Sequence, residues 1–310
     1  MNKKTYLIEK AEKGLTIQQY LKQIAGFSNA QIRSMKFTEN GICLGGQRAR
    51  VTTRLSEGDV LEVLLETKNS SSAHLLSFEG TISVIYEDED LIVVNKPEGI
   101  LVHPSGGHYQ DTLANQLAYY FRKNTQQVEI HSIGRLDLET SGIVLFAKHR
   151  AAAARLSRQR EDGRLQKTYL AICSGIFAEK NGTLNGAIAP LPGSLMKMCV
   201  SKDGKPAVTH YQVQKQYMEA ALVRLTLETG RTPQIRVHMA DAGHPLIGDR
   251  LYFADTDQKA DVDAENCFTG IKRAALHASR ICFYQPFEGK RITVEAPFPE
   301  DMKKCLFRDE

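Results

Sequence analysis

Three short polar stretches carry the side chains with chemical potential. Gly134-Arg135-Leu136-Asp137-Leu138-Glu139-Thr140-Ser141-Gly142 is a polar turn that runs straight into the apolar strand Ile143–Ala147. It places a carboxylate, Asp137, at the edge of a core, between Arg135 and small turn residues. A carboxylate in that setting suits nucleophilic or general-base work, although Asp in such a loop also serves simply as a turn former. The second stretch is Thr229-Gly230-Arg231-Thr232-Pro233-Gln234-Ile235-Arg236-Val237-His238-Met239. Thr232 is a good N-cap and Pro233 suits the first helical position. Ile235, Met239 and Ala242 make an apolar stripe, and Gly243 with Pro245 ends the helix. Arg236 lies off that stripe in the first turn, against the helix dipole, which calls for an acidic partner. A solvent-facing arginine is the alternative. The third stretch, Leu165–Ala171, holds Tyr169 in a strand-like run, where most tyrosines are half-buried packing residues.

Other chemistries find little support in the residues. There is no G-x-x-x-x-G-K-[ST] loop, no G-x-G-x-x-G and no H-E-x-x-H. His103-Pro104-Ser105-Gly106-Gly107 lacks the first glycine and the strand-to-helix setting of a nucleophile elbow. Asp255-x-Asp257 opens like a calcium loop. However, Lys259, Ala260 and Asn266 occupy positions that need an oxygen ligand, a glycine and a bidentate glutamate, so 254–266 reads as a solvated acidic loop. Cys43, Cys173, Cys199, Cys267, Cys282 and Cys305 are scattered without a C-x-x-C pair, which predicts reduced thiols and no metal.

The elements that must position the three stretches follow from periodicity. Thr16 heads a helix with Ile17, Tyr20, Leu21 and Ile24 on one face, and Ser28-x-x-Gln31 has capping-box spacing for a second. Turn signals at Asn40-Gly41 and Gly45-Gly46 flank a strand at Ile42–Leu44, and Glu57-Gly58-Asp59 turns into a strand over Val60–Leu65. Thr67–Ser77 is polar and Ser-rich, a linker. Beyond it, strands are predicted at Ile82–Tyr86, Leu91–Asn95, Ile143–Ala147, Thr168–Cys173, Ala221–Glu228 and Arg291–Ala296. Helices are predicted at Asp111–Phe121, Arg150–Arg160 and Pro233–Ala242. This is an α+β pattern rather than a regular βαβ alternation.

Two resemblances connect these parts. The first 66 residues, with Arg33, Lys36, Arg48, Arg50 and Arg54 over two short helices and a small sheet, resemble the alpha-L RNA-binding module of a ribosomal small-subunit protein. GRLDLETSGIVLFAKH (134–149), LQKTYLAI (165–172) and GRTPQIRVHMADAGHPLIGDRLY (230–252) resemble RluA-type pseudouridine synthases. Asn95-Lys96-Pro97-x-Gly99-x-x-Val102-His103-Pro104 upstream and Ala275-Leu276-His277-Ala278 downstream extend the likeness over about 80–300. It implies a mixed, mainly antiparallel sheet in the catalytic body and a small α/β module ahead of it. The implied division is a module at 1–66, a linker at 67–79, a synthase domain at 80–303 and a tail at 304–310. The resemblance assigns Asp137 as catalytic aspartate, Tyr169 as the tyrosine that contacts the target base, and Arg236 as the basic residue paired with the aspartate. An adjacent arginine would hold Asp137 low and ionised. Arg135, Arg231, Thr232, Gln234, Lys96 and His103 are RNA contacts on this reading, with Arg33, Lys36, Arg48 and Arg50 on the module. The chain departs from the family at Gly134 and Pro233, where histidines are common, which bears on the target nucleotide more than on the activity.

Composition sets the outer bounds. Apolar residues at 42% and charged residues at 25% describe a globular chain, not a disordered or coiled-coil one. No apolar run is long enough to span a bilayer, and the N-terminus lacks a secretion signal's apolar stretch, so a cytoplasmic protein is expected. Net charge is +4, and residues 1–70 hold 11 basic against 7 acidic side chains, leaving 29 of each in the remainder. A basic module ahead of a neutral body fits a polyanion-binding appendage on an enzyme, although a solvated face has the same charge. The expected activity is isomerisation of uridines to pseudouridine in structured RNA by an aspartate and base flipping. It needs no cofactor and no obligate protein partner. Ribosomal RNA of the large subunit is favoured; transfer RNA, or a catalytically silent RNA-binding protein on the same fold, are the alternatives.

Overall fold

The computed structural model describes residues 3–65, 75–105, 107–126, 128–194, 197–253 and 271–306. Most of the Ser-rich stretch and the acidic 254–266 segment lie outside them. The fold is α+β, as the sequence predicts.

A small N-terminal unit comprises β1 (Lys3–Leu7), α1 (Ile17–Gln23), α2 (Asn29–Phe37), β2 (Ile42–Leu44), β3 (Gln47–Arg48) and β4 (Val60–Leu64). Its strands form one antiparallel sheet in the order β1-β4-β2-β3. Thr16 and Ser28 close capping boxes with Gln19 and Gln31, which explains why both short helices start where the sequence predicts. Ile24 does not join the α1 stripe. The helix stops at Gln23, and Ile24 is left 55% exposed.

The body contains β5 (Ser83–Glu87), β6 (Leu91–Lys96), α3 (Leu113–Lys123), β7 (His131–Ser132), β8 (Ser141–Ala147), α4 (Arg150–Glu161) and β9 (Gln166–Ser174). It continues with β10 (Asn181–Asn185), β11 (Ile188–Pro190), β12 (Met198–Val200), β13 (Val208–Gln216), β14 (Ala220–Leu227), α5 (Gln234–Asp241), β15 (Leu276–Tyr284), β16 (Arg291–Glu295) and α6 (Glu300–Leu306). Its main sheet runs β10-β13-β14-β9-β15-β8-β6-β5, with β16 on β15 and β7 on β8. Among the described residues every pairing in this sheet is antiparallel except β15 with β8. That parallel contact sets Ser141 against His277 and Gly142 against Ala278. It needs glycine: at φ +108, a Cβ on Gly142 would lie 2.3 Å from the Ala278 carbonyl oxygen. One face of the sheet packs on α3 and α5 through residues such as Val94, Leu113, Leu117, Phe146, Ile235 and Met239. The other packs on α4 through Val93, Leu145, Ala152 and Leu156.

Two differences from the predicted elements have simple causes. The paired strands β10 and β13 are too polar for a period-2 apolar signal, because they form the end of the sheet, with β10 as its edge strand. At the C-terminus, residues 304–306 of the tail expected at 304–310 belong to α6, whose Met302, Cys305 and Leu306 pack on Ile172, Ala220 and Ile247.

The two units are fastened together along α4. Lys4 Nζ donates to Asp90 Oδ2 at 2.9 Å, and Asp90 also accepts from Gln285 Nε2 at 2.5 Å and pairs with His149 Nε2 at 2.9 Å. The Arg155 guanidinium lies 3.9 Å from the centre of the Phe287 ring and 4.7 Å from that of Phe27. Among the described residues no helix is long and apolar enough to cross a membrane.

Candidate active site

Asp137 sits in the turn between β7 and β8, and other segments hold that turn by its backbone. The Leu138 carbonyl accepts from Gly99 N at 2.9 Å and from Lys96 Nζ at 3.2 Å. Lys96 donates also to the carbonyls of Pro97 and Ile100, each at 2.8 Å. Its three ammonium hydrogens thus meet three carbonyls, the condition for burying such a group. On the far side, Arg273 Nη1 donates to the Glu139 carbonyl at 3.1 Å while its Nε holds Asp301 of α6 at 2.7 Å. The Asn95-Lys96-Pro97-x-Gly99 segment is therefore a clamp on the Asp137 loop. Lys96 has no exposed surface, which removes it from the RNA contacts predicted from sequence. Burial and the Arg273 charge push Lys96 down to about 8, so it remains a cation at neutral pH.

The electrostatics of Asp137 also differ from the prediction. Burial raises its carboxyl above the ordinary value, and the charges of Arg236, Arg135 and Lys96 oppose that shift without reversing it. The expected lowering by an adjacent arginine is thus outweighed, because desolvation of the carboxylate is the larger effect. Tyr169, on β9 opposite Leu225 and Ala278, is buried. Burial and the Asp137 charge push its phenol up, so it is neutral at physiological pH.

Arg236 does not form the direct pair with Asp137 that the resemblance implied. Its Nε donates to Asp249 Oδ2 at 2.6 Å and its Nη2 to Asp249 Oδ1 at 2.7 Å, a bidentate pair. Nη2 also lies 3.5 Å from Glu139 Oε2, and the guanidinium is 5.2 Å from the Tyr252 ring centre. Among the described residues no hydrogen bond joins Arg236 to Asp137; it acts on that carboxyl through its charge. The acidic partner that an arginine in a first helical turn demands is therefore Asp249. This residue has no exposed surface and accepts further from the backbone N–H groups of Leu251 and Tyr252. Asp249 lies within the third motif, 230–252, where no local pattern marks it as the partner of Arg236. A buried arginine's need for a planar two-oxygen partner was the available signal.

The α5 N-terminus corrects two more expectations. Pro233, at φ −101 and ψ 79, occupies the N-cap, and the helix begins at Gln234. Thr232 is exposed and does not cap it. Gln234 is 2% exposed and faces inward, so it is not an RNA contact. Its Oε1 accepts from Arg231 N at 3.0 Å and Thr229 Oγ1 at 2.8 Å, while Nε2 donates to the Val208 carbonyl at 2.9 Å. It staples the 229–234 turn to β13. His103 is half-buried, with its Nε2 against Ser132 Oγ. Arg135, Arg231 and Thr232 are exposed around the site, and Arg33, Lys36, Arg48 and Arg50 are exposed on the N-terminal unit. There, Arg48 Nη2 reaches the Lys36 carbonyl at 3.3 Å, which brings β3 beside α2.

His277 is a buried residue whose environment the sequence did not reveal. Its Nδ1 lies 2.9 Å from Ser141 Oγ beside the parallel contact, and burial pushes it down to about 4. It is a neutral imidazole at physiological pH.

Together the arrangement offers a half-buried carboxylate above its usual pKa, a neutral phenol beside it, and a fixed guanidinium within electrostatic reach. A family model described as RNA pseudouridylate synthase matches residues 90–241. An uncharacterized RNA pseudouridine synthase of Bacillus subtilis is 34% identical over 292 residues, spanning 94% of this chain and 98% of its own. Ribosomal large subunit pseudouridine synthase D of Haemophilus influenzae is 34% identical over 251 residues, spanning 80% of this chain and 76% of its own. Among solved structures, human RNA Pseudouridylate Synthase Domain Containing 1 superposes with a TM-score of 0.58 at 27% identity, over 73% of this chain and 87% of that one.

Proposed function

The chain belongs to the RNA pseudouridylate synthase family, and from that premise we propose that it isomerises uridines of large-subunit ribosomal RNA with Asp137 as the catalytic carboxylate. The observation that carries the assignment is the clamp on the Asp137 loop, which holds a carboxylate at the edge of the core beside Tyr169 and Arg236. The target is supported by relatives described as large-subunit enzymes and by the exposed basic residues of the N-terminal unit. A cytoplasmic location is consistent with action on ribosomal RNA.

The isomerisation breaks the N1–C1′ bond, turns the base and forms the C5–C1′ bond, and a proton leaves C5 as one is gained at N1. No atom is added or lost. An ionised Asp137 serves either of two first steps, attack on C1′ or removal of the C2′ proton. A uridine must leave its stack to reach it, at a cost of a few kcal/mol that is least in loops. Tyr169, held as a neutral phenol, is suited to stack on the flipped base rather than to act as an anionic base. Arg135, exposed two residues from Asp137, is suited to a phosphate or to the vacated stack. Arg231 and Thr232, exposed just ahead of α5, are suited to contact the same RNA. Arg33, Lys36, Arg48 and Arg50 supply sequence-independent contacts to the RNA backbone.

The test is tritium release from RNA labelled at uridine C5, for the parent and for Asp137→Asn, on ribosomal and transfer RNA. Release from large-subunit RNA by the parent and none by the variant is the expected result. Equal release by Asp137→Asn would remove the carboxylate from the mechanism, and release confined to transfer RNA would overturn the target.

A further inference from the structure

Gly134, one residue before Arg135, has φ +85, and a Cβ built on it would point at two cations. Arg160 Nη1 would lie 3.7 Å from it and Lys167 Nζ 3.9 Å. The two cations come from different elements: Arg160 is in the last turn of α4 and Lys167 is two residues before Tyr169 on β9. Among the described residues neither forms an ion pair, and Asp162 is taken up by Arg164 through Nε at 2.9 Å and Nη2 at 2.6 Å. Arg160 is exposed and Lys167 is half-buried. Burial and the Arg160 charge push Lys167 down to about 8. Holding two like charges so close to one point, one of them partly desolvated, is unfavourable unless an anion completes the set. Gly134 opens the loop that carries Asp137.

The geometry points to a phosphate subsite formed by Arg160 and Lys167 beside Gly134, which holds a phosphodiester of the RNA at the start of the Asp137 loop. This rests on the proposed activity, and it gives Gly134 a purpose: a larger residue there would project between the two cations. The subsite also links the two RNA-binding regions. Arg160 belongs to the same helix whose Arg155 seats the N-terminal unit, so RNA lying on the basic module can pass along α4 to the Asp137 loop.

Fluorescence anisotropy of a labelled large-subunit RNA fragment across a salt series, run beside tritium release, tests the subsite in Arg160→Gln, Lys167→Gln and Lys167→Arg. Each glutamine variant is expected to bind on the order of tenfold more weakly at low salt and to lower the slope of log affinity against log salt by roughly 0.7. KM should rise by a similar factor while kcat falls far less, and Lys167→Arg should restore the slope. Unchanged affinity and slope in both glutamine variants would overturn the subsite. So would a loss of kcat that tracks a fall in Tm with the slope intact, since that marks a structural role. Parent protein that binds RNA but releases no tritium would instead overturn the activity, because the binding slope reads the subsite without catalysis.

Discussion

Asp137 and Arg236 set the energetics of the site, and each is held away from its ordinary state by its surroundings. The carboxyl of Asp137 titrates above its ordinary value, so the folded chain keeps that proton at a pH where the unfolded chain, near 3.9, has lost it. Folded stability contributed by this group is therefore present at low pH and is lost as pH rises through that window. Asp137→Asn, neutral at every pH, escapes this loss. It should melt no lower than the parent at pH 7, with the difference shrinking on acidification, and a clearly lower Tm at pH 7 would contradict the buried-carboxyl argument. In the parent, the acid limb of kcat/KM should lie above the ordinary carboxylate range. Arg236 presents the opposite case, because it is already paired. Asp249→Asn leaves a largely buried guanidinium without its two-oxygen partner and should destabilise by about 3 kcal/mol in urea unfolding, with kcat reduced more than KM. Retention of full kcat would show that Arg236 does not depend on Asp249 for its position.

The elements that matter most are those that present loops rather than those that fill the core. β6 ends in Lys96, whose ammonium gathers three carbonyls, one of them Leu138 beside Asp137. Lys96→Met keeps the length and burial of the side chain but orphans the Pro97 and Ile100 carbonyls, at about 1–3 kcal/mol each. The expected outcome is a variant about 3 kcal/mol less stable by chemical denaturation, with kcat reduced on the order of tenfold. If kcat is untouched, the Leu138 contact is not what positions Asp137. α5 shows how an element start can be misread from sequence. Thr232-Pro233 has the composition of a cap and first turn, yet Gln234 bonds Arg231, Thr229 and Val208 and takes over the role of ordering that end. A side chain that bridges segments 26 positions apart leaves no local pattern to read.

The molecule as a whole is two units fastened at one seam. Arg155 lies between Phe27 of the N-terminal unit and Phe287 of the body, and Lys4 reaches Asp90 beside it. A cation over two aromatic rings contributes roughly 0.5–2 kcal/mol per contact. Arg155→Ala should therefore split a single calorimetric transition into two and weaken RNA binding, with turnover at saturating RNA largely kept. A single transition at the parental temperature would mean the seam does not depend on this stack. Such a joint keeps Arg33, Lys36, Arg48 and Arg50 at a fixed distance from Asp137, which on the proposed function lets backbone contacts on one unit orient RNA for chemistry on the other.

Residue order alone was enough for the α+β class, the long motifs around Asp137, Tyr169 and Arg236, and the basic character of the first 70 residues. Each of these is a local property: a period, a cap, a run of charges or a contiguous motif. Partnership and solvent access are not local, and the tertiary structure reassigned them. Lys96 and Gln234 look like surface contacts by type, and both prove to be buried staples. Arg236 found its carboxylate 13 residues away in Asp249, and the proximity of Arg160 and Lys167 to Gly134 arises only when α4 and β9 converge on that loop. The physical reason is that the cost of burying a charge depends on which groups fold around it, and those groups come from parts of the chain that no local pattern connects.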